Sequence, residues 1–170
     1  MKITIIGYSG SGKSTLAEKL SNYYSIPKLH MDTLQFQPGW QDSDCEWMLT
    51  EIKNFLTKHK AWVIDGNYSW CYYQERMQEA DQIIFLNFLP LTCLFRAFKR
   101  YLKYRGKVAA DCPERFDWEF IRWILWDGRS KTQKENYQKL CQEYSHKVTI
   151  LRNQRELDQF LDKKRKSYNS

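Results

Sequence analysis

The chain has 170 residues, 42% hydrophobic and 28% charged, with a formal net charge of +7. That length sets one domain able to bury its own core, and the composition is that of a soluble globular protein. The longest apolar stretch, 83–95, is interrupted by Asn87, Pro90 and Thr92 and is too short to cross a bilayer, so no membrane span is expected.

Residues 2–6 form a β-branched run that predicts a strand. Gly7-Tyr8-Ser9-Gly10-Ser11-Gly12-Lys13-Ser14 follows at once and fits G-x-x-x-x-G-K-[ST], the phosphate-binding loop called Walker A. The three glycines permit positive φ and close backbone approach, so the loop N–H groups turn inward on a triphosphate. Lys13 then reaches the β- and γ-phosphates, and the Ser14 hydroxyl sits on Mg²⁺. Thr15 closes the segment. Leu16, Leu20 and Tyr23 or Tyr24 give helical spacing over 13–24. Strand, glycine loop and helix are the context this motif requires. Because the chain enters the loop directly, no signal peptide is expected.

A second strand is expected at 28–31, ending at Asp32. Ser43-x-x-Glu46 reads as a capping box ahead of a helix at 44–58. The strand at 61–65 ends in Asp65-Gly66-Asn67-Tyr68. In a parallel sheet ligands bind beyond the carboxyl ends of the strands, so Asp32 and Asp65 should face the glycine loop. Asp65 suits a Mg²⁺-bound water, and Asp32 suits orienting or deprotonating an acceptor hydroxyl. The competing use of each is as an ordinary cap. Gly66 stands where hydrolytic motors carry a water-activating glutamate, and no Asn-Lys-x-Asp segment for guanine occurs. The pattern favours phosphoryl transfer over a motor or a switch.

After a strand at 82–87 comes a helix at 91–105. Arg96, Arg100, Lys103 and Lys107 share one of its faces, and Leu94, Phe98, Tyr101 and Leu102 form the opposing stripe. The functional reading of the cationic face is closure over a nucleotide, with the guanidinium groups spreading transition-state charge. A helix at 118–126 is capped by Asp117 and carries Trp118, Trp123 and Trp126. These indoles suit either base stacking or packing against the body. A helix at 131–144, a strand at 147–151 and a helix at 155–164 complete the alternation, which predicts a parallel sheet with helices on both faces. The basic run 163–166 reads either as a nucleic-acid contact or as a frayed, solvated terminus.

Two bulk features remain. Residues 1–90 hold 8 Lys/Arg against 10 Asp/Glu, residues 91–170 hold 19 against 10, and the first arginine is Arg76. A basic half beside a phosphate loop points to anionic ligands, nucleotide or nucleic acid. Cys45, Cys71, Cys93, Cys112 and Cys141 have no paired or metal-type spacing, nor do His30, His59 and His146. The expected location is therefore the reducing cytoplasm.

With these segments in place, the chain resembles the P-loop kinases of the adenylate kinase and shikimate kinase group. More narrowly it is similar to DNA topology modulation (FlaR-type) proteins. The narrower likeness rests on Leu29-His30-Met31-Asp32-Thr33-Leu34, Pro38-Gly39-Trp40, Ile64-Asp65-Gly66-Asn67-Tyr68, Ala80-Asp81-Gln82-Ile83-Ile84-Phe85-Leu86, Arg96-x-x-x-Arg100, and Cys112-Pro113-Glu114-Arg115-Phe116-Asp117-Trp118-Glu119-Phe120. The resemblance implies an α/β fold, a three-layer α/β/α domain over 1–170 with a five-stranded parallel sheet in order 2-3-1-4-5. It also implies a helical lid at about 106–129, with ATP and Mg²⁺ as cofactors. By the same resemblance Arg96 lies against adenine, while Arg100 and Arg129 contact phosphate. The segment Asp65-Gly66-Asn67-Tyr68 departs from nucleoside-monophosphate kinases, which place an arginine there to grip the acceptor's phosphate. An acceptor phosphate would be left with Lys53, Lys58, Lys60 or Arg76. The expected partner is therefore an unidentified small molecule other than a nucleoside monophosphate, held by Asp32, Trp40, Asn67, Tyr68 and Arg76. The alternative is an ATP-binding regulator acting on DNA, although no helix-turn-helix, zinc-finger or RNA-binding signature supports it.

Overall fold

A computed structural model describes residues 1–37, 41–104 and 116–168. Five strands make one parallel sheet: β1 (Lys2–Gly7), β2 (Lys28–His30), β5 (Trp62–Asp65), β6 (Gln82–Leu86) and β7 (Val148–Leu151), in spatial order β2-β5-β1-β6-β7. Counting these strands alone, the order is the expected 2-3-1-4-5. The other two strands, β3 (Phe36–Gln37) and β4 (Gln41–Asp42), form a small antiparallel hairpin beside the sheet. The central strands have no solvated face. Ile3, Ile5 and Ile6 of β1, Val63 and Ile64 of β5, and Ile83 and Ile84 of β6 are all 0% exposed. Helices cover both faces, so these strands read as unbroken apolar runs rather than alternating ones.

Eight α-helices occur among the described residues: α1 (Lys13–Tyr24), α2 (Met31–Gln35), α3 (Cys45–Lys58), α4 (Tyr73–Glu79), α5 (Pro90–Tyr104), α6 (Trp118–Leu125), α7 (Lys131–Glu143) and α8 (Gln154–Tyr168). A 3₁₀ turn, Asp127–Arg129, joins α6 to α7. Asp117 caps α6 by accepting the Phe120 N–H at 2.8 Å. The cap of α3 differs from the expected box: Asp44, not Ser43, accepts the Trp47 N–H at 3.0 Å. The basic run 163–166 is not frayed either. It lies within α8, and the Tyr23 hydroxyl of α1 donates to the Lys164 carbonyl at 2.8 Å.

The register fixes where the chemistry collects. Ile5 of β1 is level with Asp65 of β5, His30 of β2 is level with the same Asp65, and Gly7 is level with Leu86 of β6. The carboxyl ends of β1, β2, β5 and β6 thus open onto one edge, above which the glycine loop turns into α1. Two glycines there cannot be replaced. Gly10 has φ 75°, and a Cβ on it would lie 2.5 Å from the Cys93 carbonyl oxygen of α5. Gly66 has φ 141°, and a Cβ on it would lie 2.5 Å from the Met31 Cβ. The position where a motor would carry glutamate is therefore closed by packing against α2.

Candidate functional site

A cleft of about 1320 Å³ runs along that edge, floored by the glycine loop and walled by α2, the 66–72 loop, α5 and α6. Ser9, Gly10, Gly12, Lys13, Ser14 and Thr15 line it. Gly7 and Ser11 complete the loop from beneath. Ser11 is fully buried, and its Oγ has no hydrogen-bond partner among the described residues. Lys13 Nζ donates to the Tyr8 carbonyl at 3.3 Å and makes no ion pair among the described residues. Burial pulls its ammonium below the ordinary lysine pKa, against the opposing pull of Asp32 and Asp65. A desolvated cation held only by a carbonyl is suited to an incoming anion.

Behind the loop, the Ser14 hydroxyl donates to Asp65 Oδ2 at 2.8 Å, and His30 Nδ1 meets Asp65 Oδ1 at 2.5 Å. Asp65 is 2% exposed. Its bond to His30 raises the imidazole pKa, with burial opposing. Hydroxyl and carboxylate oxygens side by side form the donor set a hard divalent cation takes, so Ser14 and Asp65 fit Mg²⁺.

Helix α5 supplies the cationic wall. Arg96 and Arg100 line the cleft with Lys99 and Lys103, while Lys107 lies outside the described residues. Arg96 Nη1 donates to the Ser11 carbonyl at 2.5 Å, Nη2 meets the Gln154 side-chain oxygen, and the guanidinium sits 4.2 Å over the Phe88 ring. Burial pulls its pKa below the ordinary arginine value. Arg96 therefore ties the loop to α8. The outward stripe of α5 is divided in the structure. Leu94 and Tyr101 are half-buried, whereas Phe98 and Leu102 are exposed.

Opposite this wall, Asp32 enters the cleft from the first turn of α2, and the Tyr68 hydroxyl donates to its Oδ1 at 2.6 Å. Gln35, Ser69 and Trp70 continue this wall. They were not anticipated from the sequence. On the α6 side, Trp123 and Phe120 line the cleft, while Trp118 and Trp126 are exposed outside it.

Three expected site residues are placed differently. Arg76 is 0% exposed and does not face the cleft; it donates to the carbonyls of Cys71, Tyr72, Gly66 and Tyr68. It braces the loop after β5 and offers nothing to an acceptor. Asn67 borders the cleft, but its amide is engaged at both ends by Gly7. Its Oδ1 accepts the Gly7 N–H at 3.0 Å, and its Nδ2 donates to the Gly7 carbonyl at 2.5 Å. Asn67 thus fastens the start of the phosphate loop to the end of β5 instead of presenting its amide to an acceptor. Arg129 is 9% exposed and points beneath the loop. It donates to the carbonyls of Ile124 and Phe88, and its guanidinium lies 3.8 Å over the Tyr8 ring. It supports the loop from below, which corrects the expected phosphate contact. Trp40 and residues 105–115, which include the first part of the expected lid, lie outside the described residues.

No protein-family model matches the chain, and no curated protein matches it significantly. Among solved structures the chain is similar to shikimate kinase from Acinetobacter baumannii in complex with shikimate. The two are 17% identical over 98% of this chain and 93% of that one, with a TM-score of 0.58. A gluconokinase from Sinorhizobium meliloti 1021 matches at 19% identity over 81% of this chain and 96% of its own, with a TM-score of 0.43, too low to carry argument. The shikimate kinase match spans nearly all of this chain and shows that the two share a fold. No helix among the described residues is long and apolar enough to cross a membrane.

Proposed function

We propose that the chain is an ATP-dependent phosphotransferase acting on a small molecule. The observation that supports this reading is the convergence on one cleft of a phosphate-loop lysine with no ion pair among the described residues, the Ser14 hydroxyl backed by the buried Asp65 carboxylate, and a second carboxylate, Asp32, on the opposite wall. The loop amides and Lys13 hold the triphosphate. Ser14 and Asp65 would hold a magnesium ion, which would supply positive charge against the triphosphate. Arg96 lies beside the loop on the α8 side, the side proposed for the base, and Arg100 faces the transferring group. Asp32, oriented by Tyr68, takes the proton from the acceptor hydroxyl as its oxygen bonds to the γ-phosphorus and the bridge bond to ADP breaks.

The acceptor is proposed not to be a nucleoside monophosphate. Arg76 is committed to carbonyls, and Lys53, Lys58 and Lys60 are exposed and do not face the cleft. The segment 106–129 remains the proposed lid. The FlaR-type resemblance would add a DNA-directed role, for which the shikimate kinase match gives no support. The test is ATP consumption by the purified chain against nucleosides, sugars, shikimate-like acids, aminoglycosides and nucleoside monophosphates. Phosphorylation of a hydroxyl compound, lost in Lys13→Ala, supports the reading. Efficient phosphorylation of AMP, CMP, UMP or dTMP overturns the acceptor assignment, and failure to bind ATP overturns the whole.

A further inference from the structure

His30 was given no role by its spacing, yet it makes the closest contact to the carboxylate of the metal site. The Asp65 carboxylate has two oxygens, and both are engaged from opposite sides: Oδ2 by the Ser14 hydroxyl at 2.8 Å, Oδ1 by His30 Nδ1 at 2.5 Å. The two residues are level partners across the β2–β5 pair, so the ring meets the carboxylate directly across neighbouring strands. The imidazole side chain is 23% exposed and does not line the cleft. The bond to Asp65 is its one side-chain hydrogen bond among the described residues.

A carboxylate fixed at one oxygen alone can turn about its last side-chain bond, because that torsion is broad. Holding the second oxygen removes this freedom and keeps Oδ2 on Ser14, where the two oxygens form the metal-facing pair. Outer partners that orient metal ligands commonly contribute ten- to hundredfold to metal affinity. β2 ends at His30, and Asp32 follows two residues later on α2. One short edge strand therefore delivers both the group that holds the metal carboxylate and the group that faces the acceptor.

We propose that His30 is a positioning residue for the divalent cation, acting only through Asp65. The inference rests on the phosphotransferase reading, since it takes Ser14 and Asp65 as the metal pair. It predicts that His30 governs how much the metal strengthens nucleotide binding, and leaves metal-free binding to the loop alone.

The experiment measures affinity for a non-hydrolysable ATP analogue by calorimetry, with chelator and then with Mn²⁺, and follows bound Mn²⁺ by its paramagnetic resonance spectrum. His30→Leu keeps bulk and removes the donor; His30→Ala takes its place if the leucine variant does not fold. His30→Asn offers an amide N–H near the position of Nδ1. In wild type, Mn²⁺ should raise analogue affinity. In His30→Leu that gain should shrink by about tenfold or more, with metal-free affinity unchanged, and His30→Asn should restore most of it. An undiminished gain in His30→Leu, or a parallel loss of metal-free and metal-bound affinity, overturns the inference while leaving the phosphotransferase reading intact. Wild type that fails to bind the analogue in either condition overturns both.

Discussion

The two walls of the cleft are built on different principles. The side proposed to hold phosphate is one run of eight residues, Gly7 to Ser14, whose backbone would form the receptor, with Lys13 and the α5 arginines adding positive charge. The opposite wall is gathered from α2 and the 66–72 loop. Its described lining residues Asp32, Gln35, Asn67, Tyr68, Ser69 and Trp70 hold one carboxylate and no cation. A polyphosphate needs many inward N–H groups and cations, which a local loop provides regardless of what is phosphorylated. An acceptor must be selected, and that depends on side chains brought together over long sequence separations, such as Asp32 and Tyr68. The contrast predicts that variants on the first wall change nucleotide binding, and variants on the second change transfer.

The largest effect should come from Lys13→Ala. Removing this cation should weaken ATP binding by more than about 10²-fold, the loss of roughly 3 kcal/mol expected for a buried charge-assisted contact, and turnover should vanish with it. Calorimetry with ATP checks this, and unchanged affinity would break the assignment of the first wall. Asp32→Asn sharpens the contrast from the other side. Its Oδ1 still accepts from Tyr68, but the group no longer takes a proton. Transfer should fall by about 10²–10⁴-fold while ATP affinity stays as in wild type. Equal losses in both quantities would show the two walls to be one functional unit. Arg100→Ala should lower kcat by about 10²-fold, as for one charge-stabilising donor, with a smaller change in ATP affinity. Single-turnover kinetics separates the two.

The fold was largely legible in the sequence because the central strands are buried on both faces and therefore spelled as unbroken apolar runs. The five sheet strands lie within two residues of their expected bounds. The elements missed were too short to show a period: α2 has five residues, α4 has seven, and the hairpin strands have two each. The glycine loop was legible because its motif lies in consecutive residues, Gly7 to Ser14. Asn67 and Arg76 were misjudged for the opposite reason. Both follow β5 and carry groups that suit a ligand, but their partners, Gly7 and four backbone carbonyls, become visible only when the chain is folded. His30 escaped for the same reason, since its partner is 35 residues away on a neighbouring strand.

Asn67 gives the finest test, because it stands at the junction of the two walls. If its amide fastens Gly7, its loss should act on the phosphate side although it lies in the loop of the acceptor side. Asn67→Ala removes two hydrogen bonds to one backbone residue and leaves the Gly7 N–H and carbonyl to find water at a half-buried site. A stability loss of about 1–3 kcal/mol is expected, read from the urea midpoint at constant slope. ATP affinity should fall by no more than about tenfold, the loss of roughly 1.4 kcal/mol, because the remaining loop contacts are intact. Asn67→Asp should be worse than alanine. Its carboxylate still accepts from the Gly7 N–H, but the second oxygen would face the Gly7 carbonyl at the distance now spanned by a 2.5 Å hydrogen bond, placing two acceptors in contact. An aspartate variant as stable as the asparagine, or an alanine variant with full ATP affinity and normal stability, would mean that Asn67 does not fasten the loop. Its amide would then be available to the acceptor wall, and the division between the walls would have to be redrawn at that residue.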